Sequence, residues 1–192
     1  MVRFGGPRSV EVLRHTISIL VENEFGVLSR IAGMFSGRGF NIESLSVNET
    51  IDPAISRITL QTTGDRSVVD QINKQLNKLI PVVKIVDMSE APHVERELCL
   101  VKVNADSKNR AEVMNVVNTF RARIVDIAAK ECIIEVTGTD EKIAALLTLL
   151  EPIGVKEIAR TGKAALFRGD RLLTVGSPKK KKARRTAKEN AA

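Results

Sequence analysis

"NEFGVLSRIAGMFSGRGFNIESL", Asn23 to Leu45, decides how this chain is read. Val27, Leu28, Ile31, Ala32 and Phe35 recur at helical spacing, which predicts an amphipathic helix. Gly37 and Gly39 supply its stop signal. Upstream, "RHTISILVEN" (Arg14 to Asn23) alternates and is rich in β-branched residues, a strand pattern. Downstream, "FNIESLSVNET" is a second alternating strand, and the turn "DPAIS" leads into a third, "RITLQTTG". A second helix, "DRSVVDQINKQLNKL", puts Val69, Ile72, Leu76 and Leu79 on one face and stops at Pro81. "VVKIVDMS" completes a strand–helix–strand–strand–helix–strand unit.

After a polar connector, "EAPHVERE", the same order returns: strand "LCLVKVNA", helix "NRAEVMNVVNTF", strands "RIVDIAA" and "CIIEVTGT", helix "DEKIAALLTLL" and strand "VKEIART". An offset of 85 residues lays Leu28, Ile31, Ala32, Phe35, Arg38 and Ile42 on Val113, Val116, Val117, Phe120, Arg123 and Ile127. An offset of 74 lays Val69, Ile72, Leu76 and Leu79 on Ile143, Leu146, Leu150 and Ile153. The chain is thus read as α+β: two ferredoxin-like βαββαβ units, spanning about 11–89 and 95–170, with a tail over 171–192. Each unit would leave one sheet face and its edges open, so pairing with a second copy is expected.

Composition narrows the function classes. The 192 residues and 43% hydrophobic content suffice for two small cores. No apolar run is long enough to span a bilayer, and "MVRFGGPRSVEV" lacks a secretory signal, so a cytoplasmic protein is expected. Cys99 and Cys132 are isolated in apolar stretches and read as reduced core thiols. The net charge of +7 is concentrated in the tail, where seven basic residues from Lys179 to Lys188 face one acid, Glu189. That tail is expected to be a disordered, solvated extension. A nucleic-acid module acting through it is the alternative reading. Against it, the strands that would carry base-stacking aromatics, "TISILVEN" and "RITLQTTG", contain none. His15 and His93 lie in no catalytic motif, and no phosphate-cradling or nucleophile signature occurs.

The first helix begins on Gly26, with no acid in its first turn. A helix N-terminus offers unpaired amides and a partial positive charge, suited to an anionic group. The plain alternative is a strand-to-helix turn that needs glycine for its backbone angle. The 85-residue offset puts Lys108, Ala111 and Asp126 in place of Asn23, Gly26 and Asn41, so only the first copy suits an anion. Asn23 and Asn41 can donate and accept, and Leu20, Val27, Leu28 and Ile42 make the neighbourhood apolar. A carboxylate, an amino group and a small apolar pocket together suggest an aliphatic amino acid.

"SILVENEFGVLSRIAGMFSGRGFNIESLSV" followed by "SRITLQTTGD" resembles the ACT domain of acetolactate (acetohydroxyacid) synthase small subunits. "HVERELCLVKV" and "EIARTGKAALFRGD" resemble the C-terminal half of those subunits. The resemblance runs from about Leu13 to Asp170. It implies a non-catalytic regulatory subunit of branched-chain amino acid biosynthesis, with no cofactor of its own. Its partner would be a catalytic subunit carrying thiamine diphosphate, magnesium and FAD, which it activates and makes sensitive to valine or another branched-chain product. ACT domains of that family pair side by side, with the effector between them. By the same resemblance, Asn23, Gly26, Val27 and Leu28 of one chain and Asn41 and Ile42 of the other would hold it. Phe25 departs from the pattern, in which a smaller residue or proline is common. The exposed turn "QTTGDRS" is a candidate contact with the catalytic subunit.

Overall fold

The computed structural model describes residues 13–175. The basic run beginning at Lys179 lies outside them; of the expected tail over 171–192, residues 171–175 are described, and Leu173 packs against Leu20 and Ile55. The first unit runs β1 (Leu13–Glu22), α1 (Val27–Gly37), β2 (Ser44–Glu49), β3 (Ile55–Gly64), α2 (Arg66–Leu76) and β4 (Val82–Asp87). The second runs β5 (His93–Asn104), α3 (Arg110–Thr119), β6 (Arg123–Ile127), β7 (Glu131–Gly138), α4 (Asp140–Leu150) and β8 (Val155–Arg160), and adds β9 (Ala164–Phe167). The strand orders β2-β3-β1-β4 and β6-β7-β5-β8 are the antiparallel ferredoxin-like arrangement expected from the repeat.

Alternation fills each core. Ile17, Ile19 and Val21 of β1 and Ile58 and Leu60 of β3 meet Val27, Ile31 and Phe35 of α1 and Val69, Ile72 and Leu76 of α2. Cys99, Val101 and Val103 of β5 with Cys132, Ile134 and Val136 of β7 repeat this against Val113, Val117, Ile143, Leu146 and Leu150. Burial pushes both thiols above the usual cysteine range, as suits inert core cysteines.

Three expectations change. First, "HVERE" is not connector. It opens the twelve-residue β5, and its residues His93–Arg96 pair with β9. The charged side chains there mask the strand pattern. Second, the copies superpose at a shorter offset near α1. The helix-ending bonds from Phe40 N–H to Phe35 O and from Ala122 N–H to Val117 O put Ile31 and Phe35 over Val113 and Val117. At that offset, Lys108 stands opposite Gly26 and Arg123 opposite Asn41, while the N-cap of α3, Asn109, lies one residue further on. Asp126, paired with Ile133 within β6, has no bearing on the site.

Third, the outer face of the first sheet is not left for another copy. Thr16, Ser18, Thr59 and Gln61 lie buried there, under the second unit of the same chain. Ser46 Oγ donates to Lys163 O (2.7 Å), and Arg57 donates to Ala165 O and Leu173 O (both 3.2 Å). Burial lowers the Arg57 pKa below its ordinary value. Gly162, at φ +78°, completes the fit: a Cβ there would stand 2.8 Å from Leu45 O.

Two phenylalanines test this core assignment. Phe35 is 1% exposed and meets Phe40 edge-on, whereas Phe25 is wholly in water. Phe35→Ala should cost about 3–5 kcal/mol in urea unfolding. Phe25→Ala should stay within about 0.5 kcal/mol of the parent.

Candidate functional site

The N-terminus of α1 is open in the way its sequence suggests. Gly26 is the N-cap, at φ +81° and ψ −1°, with no side-chain cap and no acid in the first turn. The other helices differ. Asp65 accepts from Val68 N–H to cap α2, and Thr139 accepts from Lys142 N–H to cap α4. The N-cap of α3, Asn109, also makes no side-chain cap bond, but it has φ −111° and Glu112 follows in the first turn. The left-handed backbone favours glycine here, and no neighbouring atom does, since a Cβ built there meets nothing within 4 Å. Arg30 N–H makes the first intrahelical bond, to Gly26 O at 3.0 Å. The amides of Val27, Leu28 and Ser29 therefore precede the hydrogen-bond ladder.

The predicted residues fall into two groups at opposite ends of the unit. Asn23 anchors the β2–β3 hairpin: its backbone N–H donates to Ala54 O (2.8 Å) and its Nδ2 to Pro53 O (2.9 Å) and Glu49 Oε1 (3.1 Å). The side chain of Val27 points into the core, so only its backbone amide faces the helix end. Leu28, expected on the apolar face, is 42% exposed beside that end. Asn41 lies beyond the other end of α1, where its carbonyl accepts from Thr62 Oγ1 (2.7 Å), and Ile42 packs half-buried on the core. Eleven residues of α1 separate the groups by about 16 Å. One small ligand cannot reach both groups in a single chain.

A second polar centre joins the two units, and the sequence pattern gave no sign of it. Asp140, the first residue of α4, accepts from Lys163 Nζ (2.6 Å), Arg160 Nη2 (3.0 Å) and Arg14 Nη1 (3.3 Å). Arg14 also pairs with Glu43 (2.9 Å), two residues from Asn41. Lys163 pairs with Glu95, and Arg160 with the buried Glu97. Arg14, Glu43, Glu97, Asp140 and Arg160 line a cavity of about 360 Å³. Burial would raise the Asp140 carboxyl, but the Lys163 hydrogen bond and the charges of Lys163, Arg160 and Arg14 hold it below the carboxylate range. The bond to Glu97 raises the Arg160 pKa.

Residues 17–84 match the acetohydroxyacid synthase small-subunit-like ACT domain, and residues 96–169 match the small subunit of acetolactate synthase. A probable acetolactate synthase small subunit of Archaeoglobus fulgidus is 50% identical over 159 residues, covering 83% of this chain and 99% of that protein. The acetolactate synthase small subunit of Aquifex aeolicus is 48% identical over 162 residues, 84% of each chain. This chain belongs to the acetolactate synthase small-subunit family. The crystal structure of the Thermotoga maritima acetolactate synthase small subunit superposes with a TM-score of 0.75 at 40% identity, covering 82% of this chain and 99% of that one. Family membership makes the chain a small, regulatory subunit rather than a catalytic one. Among the described residues, no helix is long and apolar enough to cross a membrane.

The acid limb of stability tests the Asp140 centre. Its lowered pKa means that its contribution is present above the unfolded value of about 3.9 and is lost as pH falls through the folded value. Asp140→Asn should lower the melting temperature at pH 7 and flatten its decline between about pH 5 and pH 2. A variant whose profile runs parallel to the parent would remove Asp140 from the account.

Proposed function

We propose that the chain senses a branched-chain amino acid, valine in the first instance, and passes its occupancy to an acetolactate synthase catalytic subunit. The observation that carries this is the α1 N-terminus: a left-handed Gly26, no side-chain cap, no first-turn acid and open space around it. The effector carboxylate would accept from the first amides of the helix, in line with its macrodipole. Leu28 would contact the aliphatic side chain. Asn41 and Ile42 would come from a second chain, since the two groups are too far apart within one. The working form is therefore a homodimer through the first units, in the cytoplasm. Thiamine diphosphate, magnesium and FAD belong to the catalytic subunit, and this chain contributes regulation alone.

The nucleic-acid alternative has less support. The outer faces of β1 and β3, where an RNA-binding sheet displays its aromatics, carry Thr16, Ser18, Thr59 and Gln61 and are buried.

Two isosteric substitutions separate charge from shape at Gly26. Asp and Asn both tolerate the left-handed region and both can cap a helix. Gly26→Asp adds a carboxylate where the ligand's would dock, so valine binding by calorimetry should fall at least a hundredfold. Gly26→Asn should weaken it by no more than about tenfold, a 1.4 kcal/mol effect. Equal affinities for the two variants would sink the carboxylate assignment.

A further inference from the structure

Ser44 and Gln61 stand opposite each other across the β2–β3 pair, and both line the cavity of about 360 Å³ at the seam between the units. Gln61 is 5% exposed, yet its carboxamide bonds to no side chain or carbonyl among the described residues. The Ser44 hydroxyl is buried and likewise unpartnered. A buried amide or hydroxyl without a partner carries a desolvation cost that nothing offsets. Two of them side by side on one cavity wall mark a place that meets a polar molecule. The space is far larger than the share of one water, about 30 Å³, and lies in the range of small-ligand pockets. Gln61, Arg14 and Asp140 also line an adjoining cavity of about 470 Å³.

The charges around this pair set the chemistry of the ligand. Arg14 and Arg160 face Glu43, Glu97 and Asp140 in the lining. Lys163 bonds both Asp140 and Glu95, which adds one charge of each sign. His93 and the exposed Glu141 line only the adjoining cavity. A lining with both signs so nearly balanced disfavours a ligand of one sign and suits one that carries both. Capacity for both remains. Arg14 commits Nε to Glu43 and Nη1 to Asp140, and Arg160 commits Nη2 to Glu97 and Asp140. Among the described residues, Nη2 of Arg14 and Nε and Nη1 of Arg160 have no partner. Asp140 Oδ1 accepts from Arg160 alone, and Glu43 Oε2 from Arg14 alone, so each keeps a lone pair. A carboxylate can take the spare guanidinium N–H groups, and an ammonium the spare lone pairs. Ser44 and Gln61 can bond either pole. We propose that the seam between the two units binds a small zwitterion with a polar side chain, a hydroxyl- or amide-bearing amino acid. Among the described residues, Leu45 alone brings an apolar side chain to the lining, so an aliphatic effector gains little there. Arg14 and Ser44 belong to the first unit and Asp140 and Arg160 to the second, so the bound ligand clamps one unit to the other.

The test is calorimetry on the full chain with glycine, L-serine and L-glutamine as probes. Acetate, methylammonium and glycerol stand for the acid pole, the amine pole and a neutral polar molecule. L-Serine or L-glutamine should bind at least tenfold more tightly than any of these three. Ser44→Ala and Gln61→Leu should each weaken that binding at least tenfold. Both should keep the parent's urea midpoint without ligand, because neither removes a bond within the protein. Gly26→Asp, which blocks the α1 N-terminus, should leave it within twofold, so this site stands or falls apart from the valine reading. Failure of all three amino acids to bind overturns the site, as does unchanged affinity in both Ser44→Ala and Gln61→Leu. Acetate, methylammonium or glycerol binding as tightly as L-serine overturns the zwitterion assignment. Loss of binding in Gly26→Asp places the probes at the α1 end and overturns the seam.

Discussion

The carboxylate of Asp140 is where the two halves of the molecule are fastened. It accepts from Arg14 of the first unit and from Arg160 and Lys163 of the second, at the N-terminus of α4, where a negative charge is favoured. Lys163 is almost fully buried, and a buried ammonium left without carboxylates would be costly. The centre is therefore hard to open one bond at a time. With it in place, β9 lies across the first sheet, Ser46 bonds the Lys163 carbonyl just before it, Arg57 bonds its Ala165 carbonyl, and Leu173 reaches Leu20 and Ile55. A sheet face that a lone ferredoxin-like unit would leave open is closed within one chain.

This fastening gives the first unit two unlike ends. At one end lie Arg14 and Glu43, tied across to Asp140, with Asn41 two residues from Glu43. At the other end lie Gly26, the uncapped start of α1 and the exposed Phe25. The two groups of candidate effector residues are divided between these ends. A ligand shared by two chains would thus touch the free end of one and the fastened end of the other. That arrangement suits a sensor, because it ties the occupancy of a small site to the relative placement of whole units.

The strands, helices and doubling were legible because burial imposes a period. Ile31, Phe35, Val69, Ile72 and Leu76 repeat at helical spacing for the same reason that they are buried. The β5–β9 pairing was hidden because His93, Glu95 and Glu97 look like connector residues until their partners are known. The partners of the two glutamates, Lys163 and Arg160, which also meet Asp140, come from distant positions that no local pattern links. The repeat offset failed near α1 for a related reason. Phe35 aligns with Phe120 by identity, but the residue filling its place in the second core is Val117. At the site, the missing cap was legible, while the engagement of Asn23 with the hairpin and the burial of Val27 depend on tertiary structure.

A helix end of this kind can regulate only by discriminating between arrangements of the chains. Charge-assisted bonds from the first amides to a carboxylate contribute about 1.5–3 kcal/mol each. If they formed equally well in every arrangement, binding would be tight and silent. A tenfold shift in an equilibrium needs about 1.4 kcal/mol of difference between two states. One such bond, made when the second chain presents Asn41 and lost when it does not, meets that requirement. Gly26 leaves the approach without a competing side chain, and in the proposed site the remote position of Asn41 would make completion depend on the partner. In the proposed site, the separation that prevents one chain from closing it alone would make its occupancy report on assembly.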